Sequence, residues 1–460
     1  MTDRLSELER LRQALKSKSP NVAASLMTGR QVLERPKPTA DDLPSVIPGG
    51  FVSNDVGRFY LHEKFTPADK QRGRIPVSSL AGLSSGDLAR LSPDRLLTES
   101  DKPVVFLDTE TTGLAGGTGT YAFLVGIGYW RGDGFVVEQY FMSDYDEEPA
   151  LLTALSNIDE RFSALVTYNG RTFDVPLLRS RFLMNRLRSP FDRLPHVDLL
   201  GSSRRIWSRS LESCSLSSVE EQVLGIRRSG DVPGAIIPSL YFNFLKRKNP
   251  EPLKPVFSHN AQDILSLALL TWRVSEMLAN PLEVDMPPMD LFSVGRLMEQ
   301  AQSDDVALAC YERVRQSHPG TKAARLARLN LAVLHKRLRR WDKCVPLWKE
   351  AFQDSKEGVP YRLYRDCAIY LEHVKRQHKN AIAVVQEALD RLELDIQLGR
   401  PATMVGSRDS YAVRADFLHR LLRLTRKRDK QPGTPLDEGR DEDISQKSDM
   451  DDFDSDEQTE

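Results

Sequence analysis

Val104-Val105-Phe106-Leu107-Asp108-Thr109-Glu110-Thr111-Thr112-Gly113-Leu114 is the stretch whose reading decides the fold. Its four consecutive apolar residues read as a buried strand. They end on two carboxylates at i and i+2, which a strand presents on the same face. Two acids side by side repel each other unless a positive charge lies between them, and a divalent cation suits oxygen ligands of this kind. A pair of solvated surface acids is the alternative, and the apolar run directly before them argues against it.

Outward from this strand, the Gly-rich residues 113–119 form a break and 121–130 read as a second strand. The turn Arg131-Gly132-Asp133-Gly134 leads into a third strand at 135–142. Short connections between successive strands predict an antiparallel three-strand meander. The rhythm then changes to helix (147–158), strand (164–168), helix (174–187) and strand (196–200), with helical patterns up to Met277. This combination describes an α/β, ribonuclease-H-like layer over residues 100–280.

Before it, residues 1–50 read as an N-terminal helix (Leu5, Leu8, Leu11 and Leu15 on one stripe) and a linker marked by Pro36, Pro38, Pro44 and Pro48. Residues 51–99 read as a peripheral extension. After it, residues 288–425 carry a repeat. Ala307, Cys344 and Ala381 are each followed four residues later by Tyr311, Trp348 or Val385, and seven later by Val314, Ala351 or Ala388. That pattern predicts an α-helical, tetratricopeptide-like array, somewhat longer in period than the usual repeat.

Composition narrows the setting. The chain has 460 residues, a net charge of −1 and four widely spaced cysteines with no C-x-x-C pair. Such cysteines argue against a disulfide framework or a zinc site. No apolar run reaches the length of a membrane span, so a cytoplasmic protein is expected. The acidic segment 437–460, within a tail at 426–460 expected to be disordered, carries −10, which leaves +9 on the rest. A basic body is compatible with a polyanionic partner.

Three further groups extend the chemistry. Asp174 lies in Tyr168-Asn169-Gly170-Arg171-Thr172-Phe173-Asp174, where it can cap the following helix, project into a site, or do both. His259 and Asp263, at i and i+4 of a helical run, share one helical face. Arg179, Arg181, Arg186 and Arg188 on one predicted helix, and Arg204, Arg205 and Arg209 after the next strand, read either as phosphate contacts or as solvated charge.

Asp108-Thr109-Glu110-Thr111-Thr112-Gly113-Leu114 resembles the first motif of the DEDD 3′→5′ exonuclease superfamily. Asn169-Gly170-Arg171-Thr172-Phe173-Asp174 resembles its second motif, and His259 with Asp263 its third. His196-Val197-Asp198-Leu199-Leu200 and Asp231-Val232-Pro233-Gly234 resemble intervening stretches of the bacterial YprB-type family, in which an RNase-H-like exonuclease domain precedes tetratricopeptide repeats. The resemblance implies two-metal hydrolysis of a phosphodiester. In it Asp108, Glu110, Asp174 and Asp263 would hold two Mg²⁺ or Mn²⁺ ions, and His259 would deprotonate the attacking water. Thr111, Thr112, Leu114 and Asn169 would grip the terminal nucleotide, with Arg204 and Arg205 along the strand.

The His–Asp offset of four, where most histidine-bearing relatives have five, matches the sister subgroup that uses tyrosine. YprB-type sequences share it, so the base stays with His259. Single-stranded DNA in DNA repair, with a DNA helicase docked on the repeats, is the implied setting. An exoribonuclease and a non-catalytic scaffold are the other readings, and retention of all four acids with His259 argues against the scaffold.

Overall fold

The computed structural model describes residues 42–91, 97–98, 100–113, 119–353, 360–399 and 409–429. The expected helix at 1–18, Leu114 and the acidic segment 437–460 lie outside them. One seven-stranded sheet organises the first half. Its strands in chain order are β1 (Gly50–Asn54), β2 (Gly57–Pro67), β3 (Val104–Thr111), β4 (Ala122–Arg131), β5 (Gly134–Phe141), β6 (Ala164–Thr167) and β7 (His196–Asp198). Across the sheet they run β1-β2-β5-β4-β3-β6-β7. The first five are mutually antiparallel, while β6 and β7 continue parallel to β3.

The meander expected over 104–142 is therefore present as β3, β4 and β5. The peripheral extension supplies something the sequence did not announce. Its hairpin β1–β2 pairs with β5 from Tyr60 opposite Phe141 to Pro67 opposite Gly134, and so becomes the edge of the sheet. One boundary is corrected. The strand expected at 196–200 stops at Asp198, because the Asp198 carboxylate accepts a hydrogen bond from the Leu200 N–H and starts a helix there.

Helices cover both faces. In chain order they are α1 (Glu148–Leu155), α2 (Asp174–Met184), α3 (Leu199–Trp207), α4 (Ile237–Arg247) and α5 (Lys254–Ala279). Strand alternation sorts the core into two layers. Val105 and Leu107 of β3 pack with Val175 and Leu178 of α2 and Tyr241 of α4. Val104 and Phe106 face the opposite way, with Ile206 of α3 and Ala261, Ile264 and Leu265 of α5. By the same alternation Asp108 and Glu110 point to the α5 side, and Thr109 to the α2 side.

Helix α5 comes close to the sheet where β4 carries two glycines. A Cβ on Gly126 would collide with the Asn260 amide and the Ile264 side chain, and one on Gly128 with Ile264 and Phe135. The missing side chains are what let α5 bring its polar face up to the end of β3.

The second half is helical: α6 (Pro288–Gln300), α7 (Asp304–Ser317), α8 (Lys322–Arg337), α9 (Trp341–Gln353), α10 (Tyr361–His373), α11 (His378–Gln397) and α12 (Ser410–Asp429). Each packs on the next. The nine positions that define the 37-residue spacing fall on α7, α9 and α11, and all nine are buried. This region is docked on the first: Val294 of α6 sits in the α3–α5 core layer, and Ser210 donates to Asp290 at 2.7 Å.

Candidate active site

Three segments distant in sequence meet at the C-terminal end of β3. The strand itself contributes Asp108 and Glu110. The loop between β6 and α2 contributes Asp174, which is the first residue of α2. Helix α5 contributes His259, Asn260 and Asp263.

The loop that delivers Asp174 is tied down by Asp198. Its carboxylate accepts from the backbone N–H of Asn169 at 2.8 Å and of Arg171 at 3.0 Å. Asn169 has φ of 68°, a left-handed conformation that asparagine tolerates better than most residues. Asp174 then accepts a hydrogen bond from the Thr109 hydroxyl. The helix N-terminus also favours its negative charge.

Asp108 is oriented by a buried amide relay. Gln139 of β5 donates to the Asn260 side-chain oxygen at 2.7 Å and to the Phe257 carbonyl at 2.9 Å. With its oxygen so occupied, Asn260 turns its NH₂ to Asp108 and donates to Oδ2 at 2.8 Å. Asp263 accepts from Arg228, and His259 Nε2 lies 3.3 Å from its other oxygen. Glu110 has no hydrogen-bond partner among the described residues.

The electrostatics follow from crowding. Burial raises Asp108 well above the usual carboxylate range, and the charges of Asp263, Glu110 and Asp174 add to it, with the Asn260 hydrogen bond opposing. Burial pushes Glu110 up to about 8; His259 opposes this, while Asp263, Asp174 and Asp231 reinforce it. Asp174 is pushed up to about 6, also by burial, against the Thr109 hydrogen bond. For His259 burial works downward, yet the hydrogen bond and charge of Asp263 and the hydrogen bond to Asp231 win and lift it to about 9. The site therefore gathers more negative charge than its own cations balance.

The structure thus brings together Asp108, Glu110, Asp174, His259 and Asp263. The other expected contacts distribute differently. The Thr111 hydroxyl donates to the Gly113 carbonyl at 2.9 Å, and the Thr112 hydroxyl accepts from the Tyr121 N–H at 3.0 Å. Both therefore shape the loop after β3. The Asn169 side-chain oxygen accepts from Thr172 at 2.9 Å, within its own loop.

Arg204 and Arg205 lie in the last turn of α3, and neither touches the acids; Arg205 donates to the Leu91 carbonyl and to Ser202. Arg181 is corrected outright. It is buried, forms a double hydrogen bond to Glu148 at 2.6 and 2.5 Å, and stacks over the Tyr121 ring. Arg179 pairs with Asp192.

Sequence reasoning missed Asn260, Gln139, Arg228 and the link from Asp231 to His259. The Asp231-Val232-Pro233-Gly234 stretch and the adjacency of Asn260 to His259 were the available signals. Among the described residues no three His, Cys, Asp or Glu groups are arranged, as they stand, to enclose one metal ion. Asp263 is turned toward Arg228 and His259.

The family described as RNase_H superfamily matches residues 105–275. The "uncharacterized protein YprB" of Bacillus subtilis (strain 168) is 34% identical over 288 residues, which cover 62% of this chain and 68% of that protein. Among solved structures, the family B DNA polymerase of the hyperthermophilic archaeon Pyrobaculum calidifontis is similar at 16% identity. That match covers 46% of this chain and only 29% of the polymerase, with a TM-score of 0.33, too low to argue from. With its RNase-H-like domain and its C-terminal helical region, the chain belongs to the YprB-type family.

Proposed function

We propose that this protein is a divalent-metal-dependent 3′→5′ exonuclease that hydrolyses the phosphodiester bonds of single-stranded DNA. The observation that carries the reading is the convergence of Asp108, Glu110, Asp174 and Asp263 with His259 at one strand end. Membership of the YprB-type family supports it.

The donor set fits a hard cation. All four acids offer oxygen; Asp108 and Glu110 are raised in pKa by burial and by the neighbouring acids, and Asp174 by burial and Asp198, the signature of negative charge awaiting a counter-ion. Asp108, Glu110, Asp174 and Asp263 would hold two Mg²⁺ or Mn²⁺ ions. When bound, such ions activate the attacking water and stabilise the charge developing on the leaving 3′ oxygen.

The protein's own groups do the rest. Asn260 holds Asp108 in one rotamer, and Thr109 with the start of α2 holds Asp174. His259 is cationic at neutral pH in the metal-free chain, where it is a counter-charge to the acids. It becomes a base once it sheds that proton, and Nε2, the nitrogen facing Asp263, is then the accepting atom. We assign the helical region, as a tetratricopeptide-like array, the docking of a protein partner such as a DNA helicase; the buried 37-residue pattern on α7, α9 and α11 supports the array.

The test is a nuclease assay of purified protein on end-labelled single-stranded DNA and RNA, with Mg²⁺, Mn²⁺ or EDTA. Nucleotides are expected to leave the 3′ end of DNA only when metal is present, and Asp108→Ala is expected to abolish this. Release from the 5′ end, or activity that survives Asp108→Ala, refutes the assignment. Preference for RNA would move the same chemistry to an exoribonuclease.

A further inference from the structure

His259 and Asp263 belong to a closed ring of alternating charge whose other two members, Arg228 and Asp231, lie outside every regular element. His259 Nδ1 lies 2.8 Å from Asp231 Oδ1, and His259 Nε2 lies 3.3 Å from Asp263 Oδ2. Arg228 closes the circuit from the other side. Its Nη2 donates to Asp263 Oδ1 at 2.5 Å and its Nη1 to Asp231 Oδ2 at 3.1 Å.

The ring is anchored from behind. Arg228 Nε donates to Glu220 at 2.6 Å, and Glu220, with a side-chain exposure of 1%, also accepts from Ser266 of α5 at 2.6 Å. The Arg228 side chain is itself only 9% exposed. Its planar fork therefore meets three carboxylates in a fixed geometry that lysine could not reproduce.

The four contacts of the ring are not equivalent. Three are hydrogen bonds of ordinary or short length, and the fourth, between His259 Nε2 and Asp263 Oδ2, is the longest. We propose that Asp231 and Arg228 are positioning residues for the site: Asp231 fixes the His259 ring through Nδ1, and Arg228 pins Asp263 through Oδ1. Asp263 Oδ2 is then the oxygen left to face a divalent cation, and its departure from the ring frees His259 Nε2.

The inference rests on the nuclease reading for its consequence, though not for its geometry. A carboxylate that holds the distal nitrogen of a functional histidine fixes both its tautomer and its orientation, and losing such a partner typically lowers affinity or rate by roughly 10–100-fold.

The test uses the full chain labelled with ¹⁵N-histidine. The hydrogen-bonded Nδ1 proton of His259, identified by its absence in His259→Gln, is expected in wild type and in Asp231→Asn, where an acceptor oxygen remains. It is expected to vanish in Asp231→Ala. The same Asp231→Ala protein should lose roughly 10–100-fold in kcat, while KM and calorimetric Mg²⁺ affinity stay within about threefold of wild type; Asp231→Asn should recover part of the rate. Arg228→Lys, which keeps the charge and removes the fork, should weaken Mg²⁺ binding by roughly tenfold or more.

A persistent Nδ1 proton signal in Asp231→Ala overturns the proposal, as does an Asp231→Ala protein in which kcat is unchanged or Mg²⁺ affinity falls in step with it. Unchanged Mg²⁺ affinity in Arg228→Lys overturns the role of the fork. If wild type hydrolyses no oligonucleotide, the nuclease reading fails by itself, and the proton signal still decides whether Asp231 holds His259.

Discussion

Glu110→Gln is expected to make the metal-free protein more stable, and the amount can be worked from the site. Glu110 is raised from 4.5 to about 8, first by burial. The folded chain therefore keeps a proton on Glu110 that the unfolded chain releases above pH 4.5. The contribution of Glu110 to stability must fall as pH rises from 4.5 to 8 and level off above that.

At about 1.4 kcal/mol per tenfold in proton affinity, the displacement sets an upper bound of about 5 kcal/mol. Asp108, Asp174 and Asp263 share the same field, and part of the effect passes to them when Glu110 is neutralised, so about 2–3 kcal/mol is expected. For a domain of this size that is roughly 4–12 °C in melting temperature. The assay is thermal unfolding of wild type and variant in EDTA from pH 5 to 9, repeated with Mg²⁺. In EDTA the variant's advantage should widen up to about pH 8 and then hold. With Mg²⁺ in excess of its Kd by about a hundredfold, wild type should regain about 2.7 kcal/mol and the variant little. An advantage that does not depend on pH, or a variant less stable than wild type at pH 8 in EDTA, refutes the picture of uncompensated charge.

Two other substitutions probe different links of the argument. Thr109→Val removes the hydrogen bond that favours ionised Asp174, so Asp174 should titrate above its present value of about 6. The acid limb of the rate–pH profile should then move to higher pH, and an unmoved limb separates Asp174 from the rate. Arg181→Met strands Glu148 in a buried position, which should cost about 3–5 kcal/mol by urea denaturation. Adding Glu148→Leu should restore much of it, and a single variant within about 1 kcal/mol of wild type would show the pair to be solvated.

What could be read from the sequence depended on whether a residue's partners are local. The acids of β3 were legible because four apolar residues fix the strand and period two fixes their face. His259 and Asp263 were legible because i and i+4 share a helical face. The 37-residue spacing pointed to the buried positions of α7, α9 and α11. The β1–β2 hairpin was not legible, because Gly57–Pro67 mixes Arg, His, Glu and Lys with its apolar residues and acquires its role only by pairing with β5.

Arg181 misled for the same reason. A charged residue on a helix reads as solvated, and its partner Glu148 lies on another helix. Arg228 and Asp231 occupy no periodic element at all, so no spacing could link them to His259. Their connection exists only once the loop after Gly225 folds back on α5.

The four acids are held together in the metal-free protein by four different devices of unequal strength. Asp174 has the N-terminus of α2 and the Thr109 hydroxyl, and Asp108 has the Asn260 amide, itself aligned by Gln139. Asp263 has the Arg228 guanidinium. Glu110 has only the field of His259, with no hydrogen bond among the described residues, although it shares a strand face with Asp108. Glu110 is therefore the one acid of the four that no side-chain hydrogen bond holds among the described residues, although burial raises Asp108 as well. A cation entering the site meets no side-chain hydrogen bond at Glu110, whereas at Asp263 it must displace His259 from Oδ2. Loss of stability and gain of ligand affinity thus arise from the same placement, and a substitution at Glu110 should separate them more cleanly than one at any of the other three acids.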